Sequence, residues 1–148
     1  MSTAFIRVLT LLLALTARGI HGYSAGAPLG QCAAMTPNHG PQPQTTPSPF
    51  AVTPSKMNYS AGESLTGDTF KGFLLQARSG DTPVGMFTSA AGDNTQTLDC
   101  SDNSMSALTH TSGFSKTTLT VTWTAPQQSS GTVRFRFSID VTQVSFVI

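Results

Sequence analysis

Phe70-Lys71-Gly72-Phe73-Leu74-Leu75-Gln76-Ala77-Arg78 is the longest apolar-rich run after the first twenty residues. Read at period two, Phe73, Leu75 and Ala77 share one face, and Gly72, Leu74, Gln76 and Arg78 share the other. That spacing predicts a half-buried strand. Gly72 within the run, and Gly80 and Pro83 after it, argue against a helix.

The C-terminal third repeats the pattern. In Thr118-Leu119-Thr120-Val121-Thr122-Trp123-Thr124 every second residue is apolar, and Ala125-Pro126 ends the run. Val133 to Val141 alternates as regularly, with Phe135, Phe137 and Ile139 on one face. Val144, Phe146 and Ile148 alternate out of step with Val141, so a bulge is expected near Thr142-Gln143. Shorter strands are expected at Gly85–Thr88, Gln96–Cys100 and Ala107–Thr111, with a polar loop at Ser101–Ser106. Upstream, Pro41, Pro43, Pro47, Pro49 and Pro54 exclude a helix. Phe50 and Val52 can anchor that segment to the domain or lead it into an edge strand. Several short strands divided by turns predict an all-β sandwich.

Residues 1–22 read as a secretory signal peptide. Arg7 marks a basic region, and Val8 to Ala17 is an apolar stretch too short to span a bilayer. Cleavage is expected after Gly22, with Gly19 as the rival place, leaving one domain over 23–148. No later apolar run approaches membrane-helix length, so a secreted, extracellular chain without a membrane span is expected. Loss of Arg7 and Arg18 leaves six basic residues against seven acids, a net charge of −1. This balance excludes a cationic lytic peptide and gives no basic field for nucleic acid.

Cys32 and Cys100 are the two cysteines. In a secreted chain they are expected as an oxidised pair, against the alternatives of free thiols or an intermolecular bridge. Asn58-Tyr59-Ser60 is a glycosylation acceptor sequence beside the Ala61-Gly62 turn signal.

The residues give little support to catalysis. His39 and His110 are the histidines of the mature part, and neither stands in a metal-ligand spacing. No Gly-x-Ser-x-Gly elbow and no Cys-x-x-Cys-His motif occurs. Structural hydrogen-bonding roles for the histidines, no metal, no cofactor and no enzyme are the expectations. Trp123 closes an alternating strand and reads as core. Arg78, Arg134 and Arg136 alternate outward. Such a row is ordinarily a solvated strand face, yet these three are also the candidate ligand contacts for anionic sugars or phosphates.

Taken together, the motifs resemble the reeler (reelin N-terminal) domain. Cys32, Met35, Pro37 and His39 resemble its opening, and Tyr59 and Gly62 its first turn. Phe70 to Arg78 resembles its central strand. Leu98 and Cys100, Thr109-His110-Thr111, Lys116, Trp123, Ala125-Pro126 and Gly131 follow in order. The segment between Gly62 and Phe70 departs from the pattern and suggests a clipped edge or a tightened loop. The resemblance implies an immunoglobulin-like antiparallel β-sandwich with a Cys32–Cys100 disulfide. A signal peptide followed by one such domain resembles secreted insect defence proteins. The function this implies is recognition of a microbial surface glycolipid or polysaccharide. The alternative is an extracellular matrix or adhesion module that meets a cell-surface protein. That module would be related to spondin-like or ferric-chelate-reductase-like proteins.

Overall fold

A computed structural model describes residues 23–36, 43–54, 61–128, 131–141 and 144–147, with backbone alone at 52, 54, 61–66 and 144–147. The signal peptide assigned to 1–22, His39 and the acceptor Asn58 lie outside the described residues. Among the described residues ten strands follow a short 3-10 turn at Leu29–Gln31. They are β1 (Ala51–Pro54), β2 (Ala61–Phe70), β3 (Gly72–Ser79), β4 (Thr82–Pro83) and β5 (Met86–Thr88). They continue with β6 (Thr95–Cys100), β7 (Asn103–His110), β8 (Lys116–Thr124), β9 (Arg134–Val141) and β10 (Val144–Val147). One sheet has the order β1-β2-β8-β5, and the other β10-β9-β3-β7-β6, with β4 paired to β3.

β3 lies between β7 and β9, and its alternation sets the core. Phe73 pairs with Ile139, Leu75 with Phe137 and Ala77 with Phe135. On the other flank Leu75 pairs with Leu108. These residues meet Leu119, Val121 and Trp123 of β8 in one cluster. Burial of each large side chain contributes about 1.5–3 kcal/mol relative to exposure. Edge-to-face aromatic pairs extend the cluster: Phe50 to Phe70 at 5.9 Å, Phe70 to Phe73 at 6.4 Å and Trp123 to Phe135 at 5.2 Å. Trp123 is core as its alternation predicts, and its indole N–H donates to the Val84 carbonyl at 3.0 Å.

Four expectations change. First, β3 is buried on both faces rather than half-buried. The Tyr23–Met35 segment crosses the outer face of its sheet as a strap. Cys32 and Met35 pack there on Leu74, Ala107 and Cys100. The strap is a glycine- and proline-containing stretch with no periodicity, so its cover over the sheet leaves no pattern in the sequence. Second, β2 is no clipped edge. It is a ten-residue strand between β1 and β8, and a register shift between Thr66 and Phe70 absorbs the departure.

Third, Ser101–Ser106 is not a loop. Cys100 pairs with Asn103 across Ser101-Asp102, whose φ values of 55° and 61° suit the twist of a two-residue hairpin. Fourth, the phase slip after Val141 is a chain reversal, not a bulge. Val144 pairs back onto Val141, and Val147 reaches Ser138. A reversal resets the facing of side chains as an inserted residue would, so alternation alone does not separate the two.

Candidate functional site

The outer face of β3 and β9 gathers the three arginines singled out in the sequence. Arg78 is paired directly with Arg134, and Gln76 with Arg136. Paired residues of an antiparallel ladder project to the same side, so all four share the face crossed by the strap. Arg134 is exposed and Arg136 half-buried.

Arg78 departs from expectation. Its side chain is not on a solvated face but 5% exposed. Nε–H donates to Gln76 Oε1 at 2.7 Å. Nη2–H donates to the carbonyls of Cys32 at 2.6 Å and Ala33 at 3.0 Å. Gln76 Nε2 donates to the same Cys32 oxygen at 3.1 Å. The strap lies over the arginine because these carbonyls need donors and the guanidinium supplies them in a fixed fork. Burial, then the Arg136 charge, push the Arg78 pKa below its ordinary value, and Asp81 opposes them.

Cys32 and Cys100 form a disulfide with their Cα atoms 5.5 Å apart, so the expected pair is present and anchors the strap to β6. Four further bonds hold it along its length. Gln96 Nε2 donates to Ala25 O at 2.7 Å. Ala27 N–H donates to Thr109 Oγ1 at 3.0 Å. His110 contacts Tyr23 O, and Ser138 Oγ donates to Met35 O.

His110 has the structural role expected of it. The Phe73 N–H donates to Nδ1 at 3.1 Å, which leaves the Nε2–H to donate to Tyr23 O at 2.9 Å. A cavity of about 50 Å³ lies between strap and sheet, lined in part by Tyr23, Met35, Leu74, His110, Ser138 and Asp140. It has room for a few waters. His110 and Ser138 are engaged in the bonds above. Among the described residues no group of three or more His, Cys, Asp or Glu side chains is placed to hold a metal. No helix among them is long and apolar enough to cross a membrane.

The arginines were legible in the sequence, but their partners were not. Gln76 was legible only as an outward residue of β3. The carbonyls of Cys32 and Ala33 carry no side-chain signal at all.

The Reeler domain model matches residues 30–146. The chain is 37% identical over 145 residues to Defense protein l(2)34Fc of Drosophila melanogaster, covering 94% of this chain and 90% of that protein. It is 32% identical over 143 residues to Ferric-chelate reductase 1 of Mus musculus, covering 91% of this chain but 24% of the reductase. Among solved structures, the Reelin-N domain of F-spondin superposes with a TM-score of 0.60. The identity is 21%, over 78% of this chain and 85% of that one, a likeness of fold alone.

Proposed function

Because this chain belongs to the Reeler domain family, we propose that it is a secreted, non-catalytic binding protein of innate defence that recognises microbial surface components. The observation that carries this reading is its match to a fly defence protein along nearly the full length of both. The match to the reductase covers only a quarter of that protein, which supports a shared module rather than a shared reaction. We take 1–22 as the signal peptide, 23–148 as the domain and Asn58 as its glycan site. We read the two-sheet fold as an immunoglobulin-like sandwich.

Contact with the microbial surface is assigned to the face that holds Arg78, Arg134 and Arg136. A mature charge of −1 provides no general attraction to an anionic envelope, so affinity must come from a local patch. The test is co-sedimentation of the mature protein with whole bacteria and with purified envelope components. The wild type is compared with Arg134→Ser/Arg136→Ser after both are shown to fold. Binding that the double variant loses supports the assignment. No binding by the wild type across several bacteria favours the matrix or adhesion module instead.

A further inference from the structure

We propose that Arg78 is the fixed floor of a phosphoryl-binding subsite, completed by Arg136 and bordered by Arg134. The proposal rests on the recognition reading above and names the chemistry of that face.

Arg78 is held as a preset donor. Its Nε–H and both Nη2–H groups are spent on Gln76, Cys32 and Ala33. Among the described residues nothing accepts from Nη1. That nitrogen is also not sealed from solvent: the single enclosed, unpartnered side-chain polar atom among the described residues is Ser112 Oγ. Nη1 of a nearly buried guanidinium, fixed in place by its bonds to the strap, is therefore left with donor capacity open to solvent. A donor held this way loses little conformational freedom when a ligand arrives.

The charge of the face is unbalanced. Arg78 lies directly opposite Arg134, and like charges so paired destabilise a ladder. The strap carbonyls satisfy hydrogen bonds but contribute no net negative charge. Of the charged groups acting on Arg78, Arg136 outweighs Asp81. A bound anion would relieve this repulsion.

The remaining geometry selects among anions. A planar carboxylate is held best by two parallel N–H groups along one edge of a guanidinium. Each such edge of Arg78 includes Nε or Nη2, and both are occupied. A tetrahedral phosphoryl group needs no complete edge. One oxygen can accept from Nη1 while its others, splayed apart, accept from Arg136 and Arg134. The same group occurs as free phosphate and as the phosphate of an envelope glycolipid or polyol polymer.

The test is a titration of the mature, disulfide-bonded protein with inorganic phosphate at constant ionic strength, with acetate and chloride as controls. Arginine side-chain N–H resonances report the site. Saturable phosphate shifts are expected at Arg78 and Arg136, with acetate at least about tenfold weaker. Arg136→Gln, shown to fold by its backbone amide spectrum, should weaken phosphate binding by about tenfold, and Arg136→Lys by less. Vesicles carrying a phosphorylated glycolipid, or its dephosphorylated form, separate lipid-borne from free phosphate. Shifts that do not saturate, that acetate matches, or that keep the wild-type affinity in Arg136→Gln overturn the subsite. Bacterial binding without any phosphate response also overturns it and leaves the recognition reading standing. The expected titration beside bacteria that do not bind supports the subsite and rejects that reading.

Discussion

The Cys32 carbonyl accepts from Arg78 Nη2 at 2.6 Å while the Cys32 sulfur is bonded to Cys100. One strap residue is thus tied to β3 through its backbone and to β6 through its side chain. Arg78→Met keeps much of the volume but leaves the Ala33 carbonyl and the Gln76 amide oxygen without this donor. The expected loss is about 2–4 kcal/mol, read as a lower urea midpoint at unchanged slope.

Replacing both cysteines by alanine frees a loop of 68 residues. The chain-entropy estimate for such a loop is a loss of about 4 kcal/mol, which equilibrium denaturation measures. Non-reducing peptide mapping of the wild type should recover Cys32 joined to Cys100. Alkylation of both thiols in the native protein would contradict the structure.

His110→Ala removes the acceptor of the Phe73 N–H and the donor to Tyr23 O. A cost of about 2–3 kcal/mol is expected from the unpaired groups and the lost ring. Hydrogen exchange locates the damage: protection of the Phe73 amide should fall while that of the Val121 amide in β8 changes little.

Gly85 has φ of +70°, and a Cβ there would stand 2.5 Å from the Thr124 carbonyl oxygen and the Trp123 indole. Gly85→Ala should therefore cost about 2 kcal/mol or more. A shifted Trp123 fluorescence maximum is the accompanying sign, since the indole N–H bond to Val84 O is disturbed.

Lys116 Nζ donates to the carbonyls of Lys71, Ser112 and Phe114, yet burial holds its pKa below the ordinary 10.5. The folded chain releases this proton at a lower pH than the unfolded chain does. Across that alkaline window, ending near 10.5, the Lys116 contribution to stability rises with pH. Wild type minus Lys116→Gln, compared at neutral and alkaline pH, should show a difference that increases upward. A flat difference would contradict the assignment.

The sheet core was legible because its signal is local. Phe73, Leu75, Phe137, Ile139, Leu119, Val121 and Trp123 all sit at period two, and that period alone assigns their face. The reversal after Val141 was not legible, since slip and turn shift the phase alike. Arg78 shows the sharper limit. Its alternation placed it on the outer face, as found, but equated the outer face with water. What covers that face is a strap more than forty residues upstream, held through backbone oxygens common to every residue type. The disulfide was legible because only one intramolecular pairing exists for two cysteines.

The position of β3 has a consequence for synthesis. Besides the short β4, β3 pairs with β7 and β9, which both follow it in the chain, and β9 comes almost last. As the polypeptide emerges, β3, buried on both faces in the finished domain, waits with an open edge until Arg134–Val141 has been made. The strap emerges earlier still, and Cys32 must remain an uncommitted thiol until Cys100 arrives. Yield during secretion should accordingly be governed by protection of this waiting strand and by thiol exchange, more than by the stability of the finished domain.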